Sequence, residues 1–408
     1  MTKRIVAIIF IFACTAVAWA VLGSTIFYRT YETDTRLEGR VASNWGAPQA
    51  QSPPVADYKR TVTKTEESIE DGKKIVRTAK VEETEPLPLD SSRVNVSFAL
   101  EHRKKGLLWY STYKVAFDGS YVFRNPSSEE QWVNFTLNFP AAQAIYDDLT
   151  FTLDGQPVAF TNDKTYARGG VRIGGGKAAT FKVRYHSQGL ENWKYEFGGE
   201  VAQVRDFQLK MTTDFKSIDF PANSLSPSEK RETPDGWELA WSYKNLVTGY
   251  DIGMVMPEKL QPGPLAGRIS YFAPVSLFFF FFLMFIITTL RGIELHPMNY
   301  FFLAAAFFAF HLLLAYLVDH ISIHAAFVIC SAVSIFLVVS YLRLVVGIRF
   351  AAVEAGLAQF IYLVLFSYAF FFKGFTGLAV TIGSILTLFV VMQMTGKIRW
   401  AEKFANNK

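Results

Sequence analysis

Residues 277–285 read LFFFFFLMF. Nine consecutive apolar side chains leave no water-facing side, so the segment has neither the helical nor the strand period of an amphipathic element. Reading outward, the uncharged run covers about 270–290, and four more lie at about 299–318, 321–342, 350–372 and 375–395. A run of about 20 apolar residues is long enough to cross the hydrocarbon core of a bilayer as a helix. At the other end, 5–27 reads IVAIIFIFACTAVAWAVLGSTIF, behind Lys3 and Arg4. Ala18-Trp19-Ala20 resembles a signal-peptide cleavage site. Because the apolar run continues to Phe27, the expectation is a retained anchor.

Charge divides the chain. Residues 28–267 hold 30 Lys/Arg and 32 Asp/Glu; residues 268–408 hold 9 and 4. The first block is soluble in character and near neutral. The second excludes a soluble enzyme of uniform composition. The formal charge of +5 comes from membrane-flanking cations, not from a basic nucleic-acid face. If the N-terminus is cytoplasmic, that side carries Lys3, Arg4, Arg291, Arg343, Arg349, Lys397, Arg399, Lys403 and Lys408, against Arg268 and Lys373 opposite. The positive-inside rule then puts both termini in the cytoplasm and the large domain outside. The two cysteines, Cys14 and Cys330, sit in apolar runs, which excludes a disulfide scaffold. Cys14 reads as a buried structural thiol.

The outer block reads as all-β. Residues 48–54 look like a linker, and 59–83 alternate around Asp71-Gly72, a strong hairpin signal. Charges on both faces mark that hairpin as a solvated edge or flap. From 86 onward come short runs of β-branched and aromatic alternation, with Asp118-Gly119, Asn125-Pro126 and Asp154-Gly155 as turn signals. This is the pattern of a β-sandwich. A short helix is expected at 141–147. The division is anchor 1–27, linker and hairpin 28–85, β domain 86–267, and five-helix membrane domain with a short cytoplasmic tail 268–408.

No catalytic motif is legible. RGGVRIGGGK at 168–177 lacks the Ser or Thr after Lys177 and the helix behind it that a phosphate loop needs. No catalytic residue, metal or cofactor is assigned. Four of the six histidines fall in the membrane block. Asp319, His320 and His324 form a candidate polar site at the outer face: a helix cap with Asp319 as N-cap, a metal site, or a proton-coupling site. His311, in mid-span, should face the bundle and hydrogen-bond to a neighbour. Glu354 should pair with Arg343 or Arg349. Small residues at 304–306, 374, 377 and 383 should let helices approach closely.

Two stretches resemble a known family. In 87–123, Arg103, Lys105 and Gly106 stand where the CreD-type inner-membrane proteins carry Arg-x-Arg-Gly, and Tyr113, Gly119 and Tyr121 fit the family's next tyrosine and its glycine before an aromatic. In 295–321, Leu295-His296-Pro297 and the pair Asp319-His320 are similar to the family's Leu-His-Pro helix and its closing acid-His pair; Tyr341-Leu342-Arg343 continues the likeness. Lys105 replaces an Arg, Asp319 a Glu, and 376–378 the family's Glu-Asp-Tyr. The resemblance implies a cell-envelope integrity protein with no established catalytic activity. The expectation is a non-enzymatic inner-membrane protein whose periplasmic β domain binds or senses an envelope component. The alternative is a component for transport of a small molecule or lipid. Its partners would be the bilayer and an envelope protein or a second copy of itself, not nucleic acid.

Overall fold

The computed structural model describes residues 2–70, 73–105, 108–142, 144–198, 202–372 and 374–396. Asp71-Gly72, Gly106, Lys373 and the cations from Lys397 onward therefore lie outside the described residues. The chain divides into a helical unit, drawn from 1–36 and 260–408, and a β-rich unit, drawn from 37–105 and 109–259.

Among the described residues, the helical unit contains six helices long and apolar enough to cross a membrane. They are α1 (Thr2–Trp45), α2 (Pro262–Arg291), α3 (Pro297–Leu317), α4 (Ile323–Val345), α5 (Phe350–Phe371) and α6 (Thr376–Thr395). Two boundaries differ from expectation. The anchor does not stop at 27, because the polar stretch after it contains no Pro to break the helix and ends only near Gly46. And α2 begins at Pro262, where the missing N–H costs nothing in a first turn. Ala304 and Ala306 are buried, and Ser334 of α4 reaches the Ala306 carbonyl at 2.7 Å, so the expected close approach holds there; others lie at glycines of α2. A Cβ on Gly263 would sit 2.6 Å from Thr30 Oγ1, and one on Gly267 3.2 Å from the Phe27 ring, so these glycines let α2 lie against α1. Gly377 and Gly383 meet nothing within 4 Å. Cys14 is exposed on α1, which corrects the expectation of a buried thiol, while Cys330 is buried.

Sequence reading gave α5 no internal structure, yet it is mostly not α-helical. Two π-helical stretches, Phe350–Ala355 and Phe360–Leu365, flank the α-helical turn Gly356–Gln359, and a 3-10 turn, Ala369–Phe371, ends it. Ser276 Oγ on α2 donates to the carbonyl of Tyr362 at 2.5 Å, a backbone oxygen in the second π stretch. Such bulges recur at functional sites.

Among the described residues, the β-rich unit has three sheets. The largest has eight strands in the order Glu229–Glu232, Trp237–Thr248, Ala202–Thr213, Leu89–Lys105, Leu108–Arg124, Ala178–Leu190, Tyr146–Leu153 and Gln156–Pro157. A five-stranded sheet runs Lys73–Pro86, Val55–Glu70, Gln131–Asn138, Tyr166–Ile173, Phe160–Asn162. A three-stranded sheet joins Gln49–Gln51, Asn192–Tyr195 and Ile252–Val255. The two large sheets share one core, in which Phe135 stacks on Phe181 at 4.3 Å and meets Phe123 edge-on at 5.4 Å. Each buried phenylalanine of this kind contributes roughly 1.5–3 kcal/mol.

The two-residue period decides what faces away from that core. In Ala178–Leu190, residues 179, 181, 183 and 185 point inward and Lys182, Arg184 and His186 outward. The hairpin strands pair through Glu70↔Lys73, but Val55–Glu70 meets the next strand only over Val55↔Thr136 to Tyr58↔Val133. Beyond Tyr58 the two hairpin strands pair only with each other among the described residues.

Two local readings are corrected. Asp118-Gly119 makes no turn, since Leu108–Arg124 runs straight through it. Gly119 is needed because a Cβ there would lie 2.7 Å from the Tyr121 ring. The expected helix at 141–147 is also absent: Tyr146 opens a strand, and its ring stacks on Phe139 at 4.5 Å. At Asp154-Gly155, both with positive φ, the turn reading agrees with the structure.

Candidate functional site

The outward residues of the eight-stranded sheet line a trough of ≈ 1260 Å³. Its floor is made of short side chains: Asn95, Ser97 and Thr212, with Ala116 and Ala240. Charges stand along it in pairs. Arg184 holds Asp118 at 2.7 Å, His186 Nδ1 lies 3.3 Å from Asp148, and Arg231 pairs with Glu238. Lys210 differs. It stands in register between Ala240 and Asn95, is exposed, and enters no ion pair among the described residues. A second hollow of ≈ 420 Å³ continues past Ser97, Ala116 and His186 to Lys114 and Ile145. Lys230, turned over the Phe220 ring at 5.0 Å, and Glu229 also line the trough without an ion pair among the described residues, so Lys210 is the unpaired lysine of the floor and not the single free charge.

The family-motif residues of the β-rich unit do structural work. Arg103 and Lys105 lie over the Trp45 ring, 5.2 and 5.6 Å from its centroid, so they clasp the end of α1. Glu101 sits between Lys114 at 2.6 Å and Arg103 at 2.8 Å, and these two cations hold its carboxyl below the usual range. Tyr113 and Tyr121 are core residues whose phenols burial pushes up.

In the helical unit, the residues singled out at the outer face do not converge. The N-cap of α4 is Ser322, whose Oγ accepts from Ala325 N at 3.3 Å, so Asp319 is not the cap. The turn between α3 and α4 is longer than the apolar runs imply, and it places Asp319 three residues before the cap. Its carboxylate lies 3.4 Å from Arg29 on α1 instead. The same guanidinium donates to the Ala315 carbonyl at 2.8 Å. His320 is exposed and precedes the helix, whereas His324 is on it and lies against Phe371 at 5.2 Å, so the two do not share a helix face. Among the described residues no three His, Cys, Asp or Glu gather to hold a metal.

His311 is fully buried, as its mid-span position implies. Its Nδ1 bonds within its own helix to Phe307 O at 3.0 Å, and Nε2 has no partner among the described residues. The ring stands edge-on to Trp19 of α1 at 5.7 Å. Glu354 pairs with Arg291 of α2, not with Arg343 or Arg349. At the other family positions, His296 Nδ1 caps α3 by accepting from Met298 N, Pro297 takes the first helical position, and Arg343 lies exposed in the last turn of α4.

Sequence reading missed a buried polar chain. Gln359 donates to Ser334 Oγ at 2.8 Å, and Ser334 donates to Ala306 O at 2.7 Å, which ties α5, α4 and α3 together. Single polar residues in apolar runs were its signal, without an indication of which would meet. Between α2, α5 and α6 lies a cavity of ≈ 650 Å³ with predominantly apolar walls and Glu354 among its lining residues.

Residues 264–401 match the model of the family described as "Inner membrane protein CreD". Over that stretch, about a third of the chain, the protein is similar to the CreD inner-membrane proteins. No curated protein matches the chain. Among solved structures, the chain is similar to a Legionella pneumophila protein described as a "putative nutrient binding protein", at 9% identity and TM-score 0.35, over 58% of this chain and 76% of that one. It is also similar to an M1 zinc metallopeptidase from Deinococcus radiodurans, at 12% identity and TM-score 0.26, over 42% of each chain. The CreD match thus covers helices α2 to α6 and leaves the trough outside it.

Proposed function

We propose that this CreD-type chain is a non-enzymatic inner-membrane envelope-integrity protein whose β-rich unit is periplasmic and binds an extended envelope component in its trough. The observation that carries the reading is Lys210, a lysine on a floor of short side chains that enters no ion pair among the described residues. The absence of a legible catalytic motif supports a binding role, and the Lys/Arg asymmetry supports six spans with both termini cytoplasmic. The partner is an acidic envelope polymer or an acidic segment of an envelope protein.

The test is photo-crosslinking in living cells from position 212, on the trough floor, with the exposed position 247 as control. A discrete adduct from 212, absent from 247 and lost in Lys210→Glu, is the expected outcome. No adduct, or one indifferent to Lys210→Glu, removes the reading. Phosphatase fusions at 150 and 396 test the orientation: active at the first and inactive at the second.

A second reading, handling of a lipid, is favoured by the apolar cavity between α2, α5 and α6.

A further inference from the structure

The cavity of the helical unit is lined on α6 from Ala379 to Met394. At 1.5 Å per residue that is a length of about 22 Å. One leaflet of a hydrocarbon core about 30 Å thick is about 15 Å deep, so the cavity has room for a full acyl chain. Its outer wall, α6, carries mostly exposed apolar side chains such as Leu386 and Val390. The cavity therefore borders the lipid. Gly383 leaves that wall bare, since a Cβ there meets no atom within 4 Å.

Glu354 lies near the start of α5, and Arg291 ends α2. Glu354 gives one carboxylate oxygen to Arg291, while Oε2 is buried and accepts no hydrogen bond among the described residues. A carboxylate oxygen removed from water and left without a donor is costly, and a cationic donor relieves that cost. The Arg291 side chain is 55% exposed, so it remains open to an anion. The site thus offers an acceptor for an ammonium, a cation for a phosphate, and an apolar trough leading away from both.

We propose that this cavity binds one acyl chain of an aminophospholipid of the phosphatidylethanolamine type, with the headgroup ammonium on Glu354 and its phosphate on Arg291. An anionic lipid without an amine leaves Oε2 unanswered and adds a like charge beside it.

The test is native mass spectrometry of the full-length protein, delipidated in detergent and titrated with phosphatidylethanolamine or phosphatidylglycerol of identical chains. A single adduct should form with phosphatidylethanolamine at a concentration about fivefold lower, the ratio expected of one charge-assisted contact. Glu354→Gln should erase the preference. Gly383→Trp leaves the ion pair in place and should abolish the adduct from the opposite wall, so the test stands even if Glu354→Gln fails to fold. Equal binding of the two lipids by the unmodified protein, or a selective adduct that survives Gly383→Trp, would overturn the proposal.

Discussion

Arg29 on α1 and Asp319 in the turn after α3 form an ion pair at 3.4 Å, although 290 residues separate them in the chain. Both side chains are partly exposed, at 34% and 21%, so the pair contributes modestly, about 0.5–1 kcal/mol. Its role is to tie the N-terminal helix to the α3–α4 turn. Asp319→Asn and Asp319→Ala should therefore lower the melting temperature in detergent equally. In an Arg29→Gln background neither should have a further effect. A neutral Asn variant beside a destabilised Ala variant would restore Asp319 to a capping role.

Ser322 holds the cap that Asp319 does not. Its bond to Ala325 N is long, at 3.3 Å, so Ser322→Ala should cost roughly 0.5–1 kcal/mol, and Ser322→Asp should recover it. His320→Ala should leave thermal stability unchanged.

The Gln359–Ser334–Ala306 chain is buried where no water competes. Ser334→Ala strands the Gln359 amide and should destabilise by about 1–2 kcal/mol. The double variant Ser334→Ala, Gln359→Leu should be closer to the unmodified protein than Ser334→Ala alone, because no polar group is then left without a partner. Equal loss in the single and double variants would assign the effect to packing.

Replacing residues 61–82 of the hairpin with a two-residue Asn-Gly turn should leave the β-rich unit folded. Only Val55 to Tyr58 of that strand pair with the neighbouring sheet strand. The melting temperature should stay within about 2 °C of the original; loss of protease resistance would show that the hairpin belongs to the core.

Glu101 gives a pH dependence. Its carboxyl is depressed by Lys114 and then Arg103, so the stability it provides is present above the ordinary carboxylate range and is lost as pH falls through its lowered value. Glu101→Gln should melt lower than the unmodified protein at pH 7, by no more than about 2 °C for so exposed a pair, and the two should converge in acid. A gap that persists at low pH would contradict the charge-pair account.

The membrane helices were legible because uncharged length is a property of a single segment. So was the β character of the outer block, because alternation is a property of each strand by itself. What escaped depends on a second segment. Asp118-Gly119 has the composition of a turn, but the Tyr121 ring, not a reversal of the chain, demands the glycine. Glu354 lies nearer in sequence to Arg349 than to Arg291, yet Arg291 takes it. The trough required knowing that strand 202–213 lies beside strand 89–105, a parallel pairing that no local pattern announces.

The Ser276 hydroxyl on the Tyr362 carbonyl makes α5 a matter of register more than of composition. A π turn holds one residue more than its hydrogen-bond ladder would otherwise need, so the helix carries slack that a substitution does not remove. Deleting a single residue from 360–365 would take it up, returning the turn to α-helix with the residues after it still in register and withdrawing the oxygen that Ser276 grips. For this span, one-residue deletions and insertions report on the contact between α2 and α5 more directly than an alanine scan, which leaves that backbone atom where it is.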